Sequence, residues 1–387
     1  MSITFIHTAD WQLGKPYGSV ADVAKRSKLQ QERFDVVDRI GALVEAHGAS
    51  FVVVAGDLFD SPSPSRPTVS AGCSKIGALK VPVCVIPGNH DHGGPLGPWE
   101  QDYFKREQAS LAPNLRILLS CEPVELEDAV LLPCPLLRRH ESSDLTAWLR
   151  SIEKDMAPYG TKARVAIAHG SVQSFSASVD DDEEGGGAPN QLDLDRLDDA
   201  SFDYIALGDW HGTKQVGNKA WYSGTPEMDR FPKGDDYAGG HVLAVKASRG
   251  ELPVVDAVKT SRLGWHALAH HFTDDDGLGQ LEEQMRSLVG VRVGEDLVQL
   301  TLSGSLGMAA TKQLDGMLEA WEARMLRVKL DHSATVAPSH DEIVAMTSRV
   351  HDPIISRVAA RLVVQLRNGD NSDVARSALR ELYSAVM

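Results

Sequence analysis

The stretch FVVVAGDLFD (51–60) runs through Phe51, Val52, Val53, Val54 and Ala55 before it meets Gly56 and Asp57. A segment this short, β-branched and apolar on both faces belongs in the middle of a sheet covered on two sides. Its last residue is a carboxylate delivered to the sheet edge. The pattern recurs along the chain. SITFIHTAD (2–10) ends in Asp10, VPVCVIPGNHD (81–91) in Asn89 and His90, RVAIAHGS (164–171) in His169, and FDYIALGDWHG (202–212) in Asp209 and His211. Glycines 56, 88, 170 and 208 stand at the turns, where the backbone needs close approach or unusual dihedrals.

Between these strands the spacing predicts helices. Phe34, Val37, Ile40 and Val44 recur at helical intervals over about 27–48, and a second helical segment is expected around 67–79. Strands with polar C-terminal ends, joined by helical crossovers, indicate an α/β fold with a site along one sheet edge. AWYSGTPEMDRF and GGHVLAVKA supply two more strands that close a domain over 1–247. The character then changes. A helix near 276–289 and DLVQLTLSGSL indicate a small α+β module over 248–336, and 337–387 is mostly helical. In DPIISRVAARLVVQLR, Ile354, Val358, Leu362 and Leu366 lie four apart. This stripe is expected to dock on the chain's own surface, with a partner protein as the alternative.

A length of 387 residues calls for two or three domains, and 42% hydrophobic with 24% charged residues is the composition of a folded protein. No apolar run reaches the length of a membrane span, and the N-terminus has no signal-peptide layout. Cys73, Cys84, Cys121 and Cys134 are scattered without a CxxC pair, as expected of buried thiols in a cytoplasmic protein. The net charge of −15 argues against a protein that coats nucleic acid by charge alone. It leaves room for a nuclease, because a cluster of metal-binding carboxylates is itself acidic. DDDEEGGG (180–187) reads as a solvated loop.

Taken one at a time, an aspartate at a strand end is usually a cap, and a lone histidine is usually hydrogen-bonded structure. Asp10, Asp57, Asn89, His169, Asp209 and His211 cannot be taken one at a time, since each ends a strand of the same kind. Their oxygen and nitrogen donors suit divalent ions such as Mn²⁺ or Fe²⁺. Two such ions, bridged by a carboxylate about 4 Å apart, activate water and hold the attacking and leaving oxygens of a phosphoryl transfer. His90 stands beside Asn89 to touch the phosphate or the leaving oxygen, with Asp91 expected to orient its ring.

HTADWQLGK (7–15), VVVAGDLFDSPSPS, VCVIPGNHD, AIAHGS and YIALGDWHG followed by WYSGTPEMDRF resemble the successive motifs of the calcineurin-like metallophosphoesterases. The DW.LGK opening, GDLFD with PS after it, and YSGTPE with its following Phe are similar to the SbcD-type branch, nuclease subunits of DNA double-strand-break repair. The resemblance covers about 1–245. It implies a β-sandwich flanked by helices, a small α+β capping domain, and a C-terminal helical segment that binds a coiled-coil ATPase. It makes Asp57 the bridging carboxylate, assigns Asp10 and His211 to one metal and Asn89 and His169 to the other, and makes His90 the phosphate-contacting residue.

The chain departs from that pattern twice. Gln12 stands where the family has a histidine, and GDWH replaces GH.H, so that Asp209 takes a histidine's place. Aspartate replaces imidazole as a ligand with added negative charge; glutamine is a weaker, neutral donor, through its carbonyl or through water. A decayed site would be expected to lose Asp57 or the Asn89–His90–Asp91 group as well, and all are present. An active enzyme with altered ligands is therefore expected, with Gln12 in direct or water-bridged reach of the metal held by Asp10 and His211.

Ser65 and Arg66 are further candidates, for substrate phosphates, and Tyr222 for a wall of the site. Arg138, Arg139 and His140 read as a solvated turn, and His7 as a buttress of its strand end. His266, His270 and His271 lack carboxylates at ligand spacing. The expected function is a two-metal DNA phosphodiesterase, an exonuclease or endonuclease, holding two divalent ions, Mn²⁺ first and Mg²⁺ or Fe²⁺ as alternatives. DNA, a second copy of the chain in a homodimer and an SbcC-like coiled-coil ATPase subunit are the implied partners, with no membrane. A phosphodiesterase for a nucleotide or other small phosphoester, and an inactive structural subunit, are the competing readings.

Overall fold

The computed structural model describes residues 2–172, 190–232, 237–336, 340–368 and 372–386; the acidic run at 180–187 lies outside them. The chain divides into two compact units, Met1–Leu263 and Gly264–Met387.

In the first unit the strands begin with β1 (Ser2–Thr8), β2 (Val52–Ala55), β3 (Val83–Ile86) and β4 (Leu115–Ile117). They continue with β5 (Val124–Glu125), β6 (Ala129–Cys134), β7 (Ala163–His169), β8 (Ser171–Val172), β9 (Gln191–Leu192) and β10 (Tyr204–Gly208). The last four are β11 (Lys214–Gln215), β12 (Ala220–Tyr222), β13 (His241–Ser248) and β14 (Val254–Lys259). Two mixed six-stranded sheets result, in the orders β14-β13-β1-β2-β3-β4 and β11-β12-β10-β7-β6-β5. The central pairs β1·β2, β2·β3, β10·β7 and β6·β7 are parallel.

β2 shows why its sequence is apolar throughout. Val53 and Ala55 point into the core between the sheets, with Phe5, Ile86, Val165, Ile167 and Tyr204. Val52 and Val54 point the other way, into a second core under the helices. These helices are α1 (Val23–His47) and α2 (Arg66–Ala78), followed by α3 (Asp102–Leu111). Asp22 caps α1 by accepting from the Lys25 amide, and Gly48 ends it in the left-handed conformation at φ 60°. The face α1 buries holds Val36, Val37, Ile40 and Val44, and also Arg33. The outer face of the second sheet carries a third core around Leu132, Ala166, Phe202 and Leu207. This is an α/β architecture of two packed sheets flanked by helices. Cys73, Cys84 and Cys134 are buried free thiols, whereas Cys121 is exposed.

The second unit is built on β15 (Gly264–Phe272), β16 (Asp296–Leu306) and β17 (Arg327–His332), all parallel, with β18 (Thr335–Val336) beside β16. Its core takes Leu281 and Met285 from α4 (Gly277–Val289) and Leu314 and Trp321 from α5 (Met308–Arg324). α6 (His340–Thr347), α7 (Pro353–Asn368) and α8 (Ser372–Val386) complete the chain.

The apolar stripe of α7 is only partly docked. Leu362 and Leu366 pack beside buried Ala359 and Val363, while Ile354 is 75% and Val358 43% exposed. Each step of four residues advances the stripe by about 40° around the helix. Ile354 therefore lies well off the face on which Ala359 and Val363 are centred. No helix among the described residues is long and apolar enough to cross a membrane.

Candidate metal centre

The first unit gathers its polar strand ends at one edge of the sandwich. Backbone hydrogen bonds zip the loop after β1 to the loop after β2. The Asp10 amide donates to the Gly56 carbonyl, Gln12 to Asp57 and Leu13 to Leu58, at 2.9–3.1 Å. Asp10, Gln12, Asp57 and Asp209 all have positive φ (54°, 43°, 54° and 98°). Non-glycine residues hold such a conformation only where their surroundings enforce it. Here a buried guanidinium helps. Arg33 reaches from α1 and donates to the carbonyls of Asp10, Trp11 and Glu227 and to Thr225 Oγ1.

Two glycines make room for the side chains. A Cβ on Gly88 would lie 2.1 Å from Asp57 Oδ1, and one on Gly56 would lie 2.1 Å from His169 Nδ1. His169, fully buried, donates from Nδ1 to the Ala55 carbonyl at 2.8 Å. That bond aims Nε2 at three oxygens: Asn89 Oδ1 at 3.1 Å, Asp57 Oδ2 at 3.7 Å and Asp209 Oδ1 at 3.8 Å. The Asp57 carboxylate also accepts from the His90 amide at 2.9 Å. Ser171 Oγ donates to Asp209 at 3.0 Å.

Asp10, Asp57 and His169 each bring a ligand atom within 4.8 Å of the other two. Asp10 Oδ1 is buried and has no hydrogen-bond partner, an expensive state for a carboxylate oxygen unless a cation completes it. Burial, together with the charges of Asp57 and Asp209, pushes Asp10 up to about 7 even though His169 opposes the shift. Burial would lower His169, but Asp57, Asp10 and Asp209 outweigh it and raise the ring to about 9. Excess negative charge held in a dry pocket by oxygen and imidazole donors fits a hard or borderline divalent ion.

The other sequence candidates fall into place unequally. His211 Nε2 lies 3.9 Å from Asp10 Oδ1, and its Nδ1 is 3.0 Å from Asp229 Oδ2. Burial pushes the His211 ring down to about 4, so it is neutral and donates from Nδ1 to that carboxylate. A carboxylate behind an imidazole fixes the tautomer that leaves Nε2 as a ligand. Gln12 is buried, and its Oε1 accepts from Lys15 Nζ at 2.6 Å. Its side chain thus ends among polar groups rather than in the apolar core.

His90 Nδ1 donates to the Asp60 carbonyl at 3.0 Å, which sets Nε2 at 3.9 Å from Asp57 Oδ2. The expectation that Asp91 orients this ring is corrected by the hydrogen bonds. Both Asp91 oxygens accept backbone amides, from Gly88 at 2.8 Å and Phe59 at 3.0 Å, so Asp91 braces the loop that carries Asn89 and His90. Tyr222 also differs from expectation. It is 3% exposed, and its hydroxyl donates to the Gly170 carbonyl and accepts from the Val172 amide. A ring so covered has no face for substrate and instead anchors the chain that follows His169. Ser65 is the N-cap of α2, accepting from the Thr68 amide, and the Arg66 guanidinium lies 5.3 Å from the Tyr103 ring centroid. Both are thus committed locally. His7, in β1, meets the Tyr204 hydroxyl at 2.9 Å between the sheets. Arg138, Arg139 and His140 are exposed, and His266 Nε2 pairs with Asp296 Oδ1 at 3.1 Å in the second unit.

Sequence reasoning assigned no role to Arg33, Lys15, Ser171 or Asp229. Lys15, Ser171 and Asp229 sit inside the quoted motifs, and proximity to the ligand-bearing residues was their only signal.

The calcineurin-like phosphoesterase family model matches residues 3–242. The chain is similar to the SbcD subunit of the nuclease SbcCD from Staphylococcus epidermidis, 22% identical over 257 residues. That alignment takes in 62% of this chain and 66% of the relative, so just under two thirds of the relative's length is spanned. Among solved structures, a dimetal phosphatase from Danio rerio is 12% identical, with a TM-score of 0.38 and coverage of 66% of this chain and 99% of that one. The protein TT1561 of Thermus thermophilus is 11% identical, with a TM-score of 0.37 and coverage of 58% and 90%. The buried cluster suits a metal-dependent hydrolase.

Proposed function

The chain belongs to the calcineurin-like phosphoesterase family, and from that premise we propose that it is a metal-dependent DNA phosphodiesterase of the SbcD type. The observation that carries the reading is the convergence of Asp10, Asp57 and His169, with Asp10 Oδ1 buried and unpartnered. The similarity to a nuclease subunit supports DNA as the substrate.

In this proposal Asp10, Gln12, His211 and Asp57 would hold one divalent ion, and Asn89, His169 and Asp209, together with Asp57, would hold a second, with Mn²⁺ the first choice. Bound divalent ions would supply an activated water and neutralise charge on the phosphoryl group. The chain's own residues do the rest. Asp229 keeps His211 in the tautomer that offers Nε2. Asp91 fixes the loop that presents Asn89 and His90. His90, anchored through Nδ1 on the Asp60 carbonyl, offers Nε2 to a phosphoryl or leaving oxygen. Ser65 and Arg66 remain candidates only for the outer rim of the substrate path. A second copy of the chain and a coiled-coil ATPase are the proposed partners, the latter on the C-terminal helices, where Ile354 and Val358 are exposed.

The test is hydrolysis of end-labelled duplex and single-stranded DNA by the purified chain in Mn²⁺ or Mg²⁺, beside bis-p-nitrophenyl phosphate and nucleotide substrates. Asp57→Asn serves as the control. Metal-dependent DNA cleavage that the variant loses is the expected result. Hydrolysis of small diesters with intact DNA would transfer the assignment to a small phosphoester. Metal binding without any hydrolysis would make the chain a structural subunit.

A further inference from the structure

The two sides of the candidate metal centre are charged differently. Around His169, the donors of Asn89, Asp57 and Asp209 face one nitrogen, and Ser171 braces Asp209 from behind. On the side of Asp10, cationic side chains lie against two groups that a metal would use, Gln12 Oε1 and His211 Nε2. Lys15 Nζ holds Gln12 Oε1 at 2.6 Å and Asp229 Oδ2 at 3.0 Å, and lies 3.8 Å from Asp60 Oδ1. Arg230 places one guanidinium nitrogen 3.1 Å from His211 Nδ1 and 3.4 Å from Nε2.

The contact with Gln12 Oε1 opposes a metal directly, while Asp229 and Asp60 offset part of the Lys15 charge. A neutral amide oxygen that already accepts an ammonium proton has less electron density for a dication, and the ammonium itself repels the dication from one oxygen away. Asp229 is 1% exposed at its side chain, so the Lys15–Asp229 pair is shielded from solvent on the carboxylate side and is not a surface pair that salt would dissolve. On the opposite side, Asp209 adds a full negative charge to the donor set.

We infer that Lys15 makes metal binding by this chain unequal: one divalent ion held tightly by Asp57, Asn89, His169 and Asp209, and a second held weakly and exchangeably by Asp10, Gln12 and His211. The inference rests on the metallophosphoesterase reading above and deepens it. Lys15 acts as a positioning residue, through Gln12 and Asp229, and as a fixed positive charge that stands in for part of the second ion.

The test is a titration of the metal-stripped full chain with Mn²⁺, followed by equilibrium dialysis and by electron paramagnetic resonance. The latter distinguishes an isolated Mn²⁺ from a coupled pair. The wild-type chain is expected to bind its first ion at least roughly tenfold more tightly than its second. Lys15→Met is expected to tighten the second ion by roughly tenfold while leaving the first unchanged, and Lys15→Arg to keep the wild-type gap. Where circular dichroism shows that Lys15→Met has not folded, Lys15→Gln takes its place as the neutral variant. Two equal sites in the wild-type chain, or an unchanged gap in the neutral variant, would overturn the inference. Equal sites in a chain that still hydrolyses a phosphodiester would overturn it and leave the proposed function standing. Unequal binding without hydrolysis would support it while removing that function. A chain that binds no Mn²⁺ would overturn both.

Discussion

His169 Nε2 lies 3.1 Å from Asn89 Oδ1, although the two residues are 80 positions apart, one ending β7 and the other in the loop after β3 of the other sheet. With Nδ1 committed to the Ala55 carbonyl, the ring has one direction left, and Asn89 occupies it together with Asp57 and Asp209. His169→Asn and Asn89→Ala are each expected to weaken Mn²⁺ binding by at least roughly a hundredfold, since losing even an outer partner of a ligand costs about tenfold to hundredfold. Saturating Mn²⁺, at about a hundred times its Kd, is expected to stabilise the wild-type chain by about 2.7 kcal/mol. Thermal unfolding with and without metal checks both, and an equal metal-induced shift in the variants would refute the assignment.

Gly88→Ala tests the close approach around Asp57. The new Cβ would sit 2.1 Å from Oδ1 and 2.6 Å from the backbone nitrogen of Asp57, so the carboxylate must move. Misplacing a group at a reacting centre by about 1 Å costs on the order of a hundredfold in rate. Diester hydrolysis is expected to fall by that order, with the circular dichroism spectrum unchanged. Wild-type turnover in the variant would contradict the geometry.

Arg33 is buried in α1, yet its work is to satisfy backbone on the site side. Arg33→Met would strip donors from the carbonyls of Asp10, Trp11 and Glu227 while filling much of the same volume. Thr225 Oγ1 reaches the carbonyls of both Asp10 and Glu227 and still serves one of them, so two acceptors are orphaned at about 1–3 kcal/mol each and a loss above roughly 2 kcal/mol is expected in urea unfolding. A loss below about 1 kcal/mol would mean that water or side-chain movement replaces the guanidinium.

His7 gives the acid limb of stability a defined sign. Burial pushes its ring down to about 3 from an ordinary 6.5, so it is neutral in the folded chain, whereas the unfolded chain protonates it below about pH 6.5. The unfolded state therefore binds more protons between those values. This contribution to stability is complete above the window and is lost as pH falls through it. Between about pH 7.5 and pH 4.5, His7→Gln is expected to lose roughly 2–3 kcal/mol less stability than the wild-type chain. Parallel pH profiles of the urea midpoints would show that His7 is not the group responsible.

Much of the fold is legible residue by residue. β2 can be read from its four consecutive apolar residues, because a strand buried on both faces has no polar position to break the run. α1 can be read from its period, which places it over about 27–48; its first turn, from Val23 behind the Asp22 cap, lies outside that span because it carries no apolar repeat. The α7 stripe misleads because spacing by four drifts around the helix, and only the bundle decides which part of the drift is buried. β14 lies beyond the point where the sequence changes character, yet it pairs with β13 in the first sheet, a long-range choice that no local propensity encodes.

The site divides in the same way. The types and order of Asp10, Asp57, Asn89, His169, Asp209 and His211 are written in the chain, since a parallel strand that ends in a ligand leaves a local pattern of apolar run, glycine and polar residue. What surrounds those residues is not local. Asp91 bonds to Phe59 across 32 positions, Tyr222 to Gly170 across 52, and Lys15 to Asp229 across 214. By itself the sequence determined which donors are available and that each ends a strand; that these strands belong to two sheets whose ends meet was decided by the tertiary structure. Only the tertiary structure decided which of them face one another and which are held by Lys15, because side-chain partners follow from sheet order and strand register, and these are set by the packing of the whole unit.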